Sequence, residues 1–270
     1  LYNLFKKHPV ICTDSRSIKK GSIFFALKGE NFNGNKYAQQ ALNDGCSYAI
    51  IDEQKYSTTP NTVLVKDAIK TLQDLATYHR LQLSIPVIGI TGTNGKTTSK
   101  ELINSVLSTQ YNTYATKGNL NNHIGVPLSI LNITSDIQIA IIEMGANHEK
   151  EIEFLCKIAQ PNFGVITNVG AAHLEGFKNI EGVIRTKNEL YNYISDNNGL
   201  LFVNKDDITL LNLSKNKKLQ TYGTSGDTKG VIKTNTPFVK IEYSDEIINS
   251  NLIGNYQFYN ILLAISIGKY

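Results

Sequence analysis

The octapeptide Thr91-Gly92-Thr93-Asn94-Gly95-Lys96-Thr97-Thr98 constrains this chain more than any other segment. It follows the apolar run Val87-Ile88-Gly89-Ile90 and leads into Lys100 to Leu107, which reads as a helix. A glycine-rich turn between strand and helix presents successive N–H groups at a helix N-terminus, where anions bind. Gly92 and Gly95 permit positive φ and close backbone approach. Lys96 brings a mobile point charge for β and γ phosphates, and the Thr97 hydroxyl is a ligand type suited to Mg²⁺. The loop is shorter than the usual G-x-x-x-x-G-K-[ST], whose first glycine would fall at Ile90. Residues Gly92, Thr93, Asn94, Gly95, Lys96, Thr97 and Thr98 are the candidate nucleotide-binding set.

Around this loop strands and helices alternate. Strands are expected at 87–90, 137–142, 164–169 and 200–204, and helices at 100–107 and 149–158. Continuous apolar strands alternating with helices predict a mainly parallel sheet covered on both faces. Residues 1–83 read as a smaller α/β unit. Strands are expected at 22–27, 48–51 and 62–65, with helical spacing over Tyr37–Leu42 and Asp67–Leu83. Ser84-Ile85-Pro86 punctuates the chain and marks the expected boundary between domains 1–83 and 84–270. The polar stretch 205–250 reads as short strands and loops, and 116–127 as an Asn-rich loop.

The composition narrows the function classes. With 270 residues, 41% hydrophobic and 19% charged, the chain is a globular protein of about two domains. A formal charge of +4, spread along the chain, does not call for nucleic acid as a partner. Cys12, Cys46 and Cys156 are sparse and odd in number, which fits a reduced, cytoplasmic protein. No apolar run approaches the ~20 residues needed to span a bilayer. The uncapped apolar run at 261–265 predicts truncation.

Three more positions carry chemistry. Glu143 ends the strand Ile139-Ala140-Ile141-Ile142, at the sheet edge where α/β proteins bind ligands. A carboxylate there can hold Mg²⁺ beside the phosphate loop. His173 follows the 164–169 strand and is expected on the same rim. Lys187 by itself reads as a helix-surface lysine. Asn119, Asn121 and Asn122 fit either a plain turn or uncharged hydrogen-bonding to phosphate and ribose.

These segments resemble the Mur ligase superfamily. The resemblance is carried by Thr13-Asp14-Ser15-Arg16, FFALKGE at 24–30, TGTNGKTT at 91–98, GNLNNHIGVPLS at 118–129, EMGANH at 143–148, NVGAAHLEGF at 168–177 and the Lys187 segment. It covers nearly all of 10–190, and the GNLNNHIGVP and EMGANH segments are its more specific motifs. It implies an N-terminal UDP-binding domain, a central ATP-binding domain and a C-terminal ligase domain absent from this chain. The implied activity is ATP-dependent amide ligation in peptidoglycan synthesis, joining D-alanyl-D-alanine to UDP-N-acetylmuramoyl-tripeptide through an acyl phosphate. Carried onto this sequence, Lys96 binds the ATP phosphates, and Asn260 approaches the adenine. Thr97, Thr116 and Glu143 surround a first Mg²⁺, His173 binds a second, and Lys187 is a carbamylated lysine. Lys96, His173 and Lys187 are thus the implied catalytic residues. Ser15 and Arg16 lie at the UDP site, and Asn121 and Asn122 near the substrate. A monomer is expected. Gln257 stands where related proteins often have Asn. The alternatives are another Mur-type ligase, a folylpolyglutamate-type ligase, against which the UDP-site-like Thr13-Asp14-Ser15-Arg16 segment argues, and a non-catalytic binding fragment.

Overall fold

Short, wholly buried runs such as Ile23-Phe24-Phe25 and Ala49-Ile50-Ile51 have no polar face to offer solvent and become strands covered on both sides. The computed structural model describes residues 1–170, 177 and 179–270. By internal packing the chain forms two units, Leu1–Ser84 with His123–Thr134, and Ile85–Asn122 with Ser135–Tyr270.

The first unit holds strands β1 (Ile11–Cys12), β2 (Ile23–Phe25), β3 (Lys28–Gly29), β4 (Phe32–Asn33), β5 (Tyr48–Ile51) and β6 (Thr62–Leu64). Four of them form a parallel sheet in the order β1-β2-β5-β6, and β3 and β4 form a small antiparallel ribbon. The helix Ala68–Leu81 begins at Asp67, whose carboxylate accepts the Lys70 N–H at 2.9 Å as an N-cap. The helix Gly125–Leu131 packs against it, although 116–127 read as a loop. Pro127 conceals this helix in the sequence. It sits in the first turn, where its missing N–H has no partner to lose.

His79 joins these pieces. Its Nε2 lies 2.9 Å from the Ile133 carbonyl, which can only accept, so Nε2 carries the hydrogen and Nδ1 accepts from the Tyr2 hydroxyl at 3.1 Å. Burial pushes the imidazole below its ordinary value of 6.5, against the Ile133 bond, which favours the charged form. The unfolded chain therefore takes up a proton here before the folded one does. Stability from this group is intact above pH 6.5 and is lost as pH falls from there through the folded-state value. Melting of the first unit should drop between pH 7.5 and 5.5, and His79→Gln should flatten that slope. An unchanged slope in the variant would rule out His79 as its source.

The second unit holds β7 (Val87–Thr91), β8 (Thr113–Ala115), β9 (Ile139–Glu143), β10 (Phe163–Ile166), β11 (Leu200–Asn204), β12 (Leu219–Gly223) and β13 (Thr228–Lys229). They form one sheet, parallel throughout, in the order β13-β12-β11-β10-β7-β9-β8. The expected α/β class with a mainly parallel sheet is what the chain adopts. Successive strands pass to opposite sides of β7, so the sheet has its topological switch point there. The registers Ile90↔Glu143 and Thr91↔Ile166 bring three strand ends to one level. The helix Gln257–Lys269 is apolar around most of its circumference. Phe258, Leu262 and Ile267 join the core of Ile88, Ile141, Phe202 and Tyr222.

Two local readings change. The helix after the loop spans Lys96–Leu107 and so starts four residues before the expected 100–107. Its first turn, Lys-Thr-Thr-Ser, has no apolar residue for periodicity to register. Within 205–250 there is a helix, Ile208–Leu213, capped by Asp207 accepting from Thr209 and Leu210 N–H at 2.9 and 3.1 Å. The rest of that stretch includes β12, β13 and an antiparallel sheet of β14 (Val231–Thr234), β15 (Lys240–Tyr243) and β16 (Glu246–Asn249). Among the described residues no helix is long and apolar enough to cross a membrane.

Candidate functional site

The octapeptide loop leaves β7 at the switch point. Gly92 (φ +148°) and Gly95 (φ +77°) supply the two left-handed positions that turn strand into helix. At Gly92 a Cβ would stand 2.0 Å from Thr167 Oγ1, so only glycine fits there. Thr167 and Asn168, just past β10, hold the loop's shape. Thr167 Oγ1 donates to the Asn94 carbonyl at 2.6 Å. The Asn168 amide donates to the same carbonyl at 2.9 Å, and its Oδ1 accepts the Asn94 N–H at 3.0 Å. The Thr93 N–H donates to the Asn168 carbonyl at 3.1 Å, and its hydroxyl accepts the Gly170 N–H at 3.0 Å. The N–H groups of Thr93 and Asn94 are therefore spent within the protein. The N–H groups at the start of the helix Lys96–Leu107, which have no partner inside the helix, can meet phosphate.

Lys96 lies at that turn. Its ammonium donates to the carbonyls of Gly92 at 2.8 Å and Thr93 at 3.0 Å. Burial lowers its pKa, and the Glu143 carboxylate raises it in part. Glu143 is 2% exposed. Its Oε2 accepts from the Thr97 hydroxyl at 3.0 Å and its Oε1 from the Asn121 amide at 2.8 Å. Both donors are neutral, so this buried carboxylate has charge left to give a cation. Thr116 is fully enclosed, and its Oγ1 accepts the Glu143 backbone N–H at 3.0 Å. Glu143, Thr97 and Thr116 are oxygen donors of the kind a hard divalent cation takes, so the residues fit Mg²⁺. Among the described residues no group of three or more His, Cys, Asp or Glu side chains is placed to hold a metal ion by itself.

Lys187 is not the surface lysine its helix position suggests. It is buried on the helix Ile180–Asp196, with its ammonium 5.8 Å from the Phe177 ring centroid. Burial first, then the charge of Lys96, lowers its pKa to about 8. The helix is held in register at both sides of Lys187. Arg185 pairs with Glu149 at 2.6 Å, and the half-buried Glu189 accepts the N–H groups of Lys150 and Glu153 at 2.7 and 2.9 Å. His173 lies outside the described residues.

Asn260 faces the loop: a Cβ at Gly95 would stand 3.4 Å from its Oδ1. That oxygen accepts from Ser99 at 3.0 Å, and its amide donates to Gln257 at 2.8 Å. Gln257 thus holds Asn260. Thr98 is half-buried in the first helical turn, and Asn122 is exposed at the close of the 116–122 segment. In the first unit, Ser15 and Arg16 occupy the turn after β1. There Arg16 grips Asp14 with Nε at 2.9 Å and Nη2 at 2.7 Å, and those bonds hold the Asp14 carboxyl down to about 2.

The sequence reading missed Thr167, Asn168, Ser99 and Lys100. Asn168 opens the NVGAAHLEGF motif and was visible as a residue, but the amide-to-backbone pairing that gives it a role depends on two distant strand ends meeting.

Residues 90–268 match the Mur ligase middle domain, and residues 9–88 match the Mur ligase family, catalytic domain. The chain is 37% identical over 216 residues to the UDP-N-acetylmuramoyl-tripeptide–D-alanyl-D-alanine ligase of Bacillus subtilis, covering 79% of this chain and 47% of that protein. It is 37% identical over 202 residues to the Escherichia coli enzyme of the same name, covering 75% and 44%. Among solved structures it resembles the MurF ligase of Thermotoga maritima in complex with ADP. The TM-score is 0.84 at 29% identity, over 99% of this chain and 64% of that one. It also resembles MurF from Acinetobacter baumannii, with TM-score 0.83 at 32% identity, over 95% and 58%. The chain spans about half the length of the curated relatives it matches.

Proposed function

The chain belongs to the Mur ligase family, and we propose that it forms the UDP-substrate-binding and ATP-binding parts of an ATP-dependent amide ligase that joins D-alanyl-D-alanine to UDP-N-acetylmuramoyl-tripeptide. The observation that carries this is the juxtaposition of a phosphate loop with a buried carboxylate, Glu143, which accepts hydrogen bonds from the neutral Thr97 hydroxyl and Asn121 amide. The likeness to a MurF ligase described in complex with ADP supports ATP as the nucleotide.

In this reading the substrate carboxylate attacks the γ-phosphorus of ATP and ADP leaves. The acyl phosphate formed then reacts with the amine of D-alanyl-D-alanine, which expels phosphate and loses a proton. The first-turn N–H groups and Lys96 hold the phosphates. Glu143, Thr97 and Thr116 would hold a first Mg²⁺, and His173 with a carbamylated Lys187 a second. Bound there, Mg²⁺ would offset the repulsion between an attacking carboxylate and a triphosphate. Lys187 suits carbamylation: it is enclosed, its amine loses its proton near pH 8, and as a carbamate it would present two oxygens. Asn260 is held beside the loop for the adenine side. Ser15 and Arg16 are assigned to UDP, and Asn121 and Asn122 to the substrate. The location is cytoplasmic and the state monomeric.

Because the chain spans about half its relatives' length, binding is the informative readout. UDP-N-acetylmuramoyl-tripeptide should raise the melting temperature more than UDP does, and a folate substrate should not raise it. At ~100 times Kd the expected gain is about 2.7 kcal/mol, roughly 2–4 °C per kcal/mol at this size. A folded sample indifferent to every UDP compound would overturn the substrate assignment.

A further inference from the structure

Lys100 is 1% exposed, although it sits one turn beyond Lys96 on the phosphate helix. Its Nζ donates to the Thr116 carbonyl at 2.5 Å and pairs with the exposed Glu101 carboxylate at 3.0 Å. Enclosing an ammonium group is costly, and a leucine or methionine would fill the same space without that cost. The lysine therefore has a task that packing alone does not supply.

Its partner indicates the task. Thr116 is the point where the chain leaves β8 and turns toward Asn121. The Thr116 N–H donates to Ile141 at 3.0 Å, and its hydroxyl takes the Glu143 N–H. Gly118 (φ +55°) then turns the chain, and the Asn121 carbonyl accepts from Gly145 at 2.7 Å while its amide meets the Glu143 carboxylate. The opposite oxygen of Glu143 meets Thr97, on the same helix as Lys100. The 116–121 segment and the phosphate helix thus meet twice, at Glu143 and at Lys100.

We propose that Lys100 is a positioning residue: its enclosed ammonium ties the phosphate helix to the Thr116 carbonyl and so fixes where Thr97, Thr116 and Glu143 stand relative to one another. The proposal rests on the reading of those three as the groups that face a nucleotide-bound cation. In that reading Lys100 acts through its bond to the Thr116 carbonyl and is not one of the groups assigned to nucleotide or cation.

The test uses Lys100→Met, which keeps the stem and removes the donor. The Mg²⁺ concentration that gives half of the ATP-induced melting shift should rise about tenfold, the equivalent of one decade in affinity. Backbone amides of 117–121 should exchange with solvent faster, while those of 103–107 keep the parent's rate. A merely structural lysine would lower the melting temperature and leave the Mg²⁺ midpoint unmoved, and that result overturns the proposal alone. A folded parent with no ATP-induced shift overturns the nucleotide reading and the proposal together. The unsubstituted chain gives a further check, independent of how the variant folds. The Lys100 Nζ protons should be protected from solvent in an NMR spectrum, and exchange as fast as that of surface lysines overturns the proposal too.

Discussion

Lys96→Ala should erase the rise in melting temperature that Mg²⁺ and ATP produce, while the ligand-free protein melts within about 2 °C of the parent. The two halves of this expectation have separate causes. Without ligand, Lys96 makes two hydrogen bonds to loop carbonyls, each worth about 0.5–1.5 kcal/mol net. Enclosing the ammonium works against them, as its lowered pKa records. The balance for the empty loop is small. With nucleotide, Lys96 is the cation of the loop itself, and the first-turn N–H groups alone carry only partial charge against a triphosphate. Losing ligation at ~100 times Kd removes about 2.7 kcal/mol of stabilisation, which is the whole shift. Lys96→Arg should not restore it, because a planar guanidinium does not fit between the Gly92 and Thr93 carbonyls that receive the compact ammonium. An ATP response in Lys96→Ala equal to the parent's would move the phosphates away from this loop.

The same region shows what a sequence discloses. The strand before the loop, the two glycines and the lysine are local features, each legible in a few residues. The parallel sheet was legible too, because strands buried on both faces are continuous apolar runs such as Ile139-Ala140-Ile141-Ile142. What escaped was nonlocal. Thr167 and Asn168 are 73 and 74 residues from the Asn94 carbonyl they bind. Nothing in their own neighbourhood distinguishes them from strand-end residues. The burial of Lys187 and Lys100 was hidden for the opposite reason, and Lys187 was picked out by the resemblance alone. A lysine on a helix reads as solvent-facing, and only the packing of other elements around it encloses the charge. The helix Gly125–Leu131 was hidden by local rules, because glycine and proline read as turn residues unless a first helical turn is known to be there.

Gly92→Ala should be the most damaging single methyl group in the second unit's loop, with a loss of about 3 kcal/mol or more and a melting temperature lower by roughly 6–12 °C. The added Cβ would lie 2.0 Å from Thr167 Oγ1, 3.1 Å from its N and 3.2 Å from its Cβ. Thr167 cannot simply turn aside, because that hydroxyl donates to Asn94 and the residue's N–H donates to Thr91 at 3.0 Å. Relief must come from moving β10 or the loop, and a moved loop no longer aims its first-turn N–H groups. ATP should therefore fail to raise the melting temperature of whatever folded variant remains. The φ of +148° adds a backbone penalty of about 1–3 kcal/mol for any residue with a Cβ. The double variant Gly92→Ala/Thr167→Ala separates the two terms. Removing the hydroxyl relieves the 2.0 Å overlap, so the pair should melt above Gly92→Ala alone, yet below the parent by the backbone term and the lost Asn94 bond. Gly95→Ala is the internal contrast. It also has a positive φ, +77°, but its nearest foreign atom is Asn260 Oδ1 at 3.4 Å, so the cost should be backbone strain only. If Gly92→Ala and Gly95→Ala melted together, the Thr167 contact would have no part in shaping the loop.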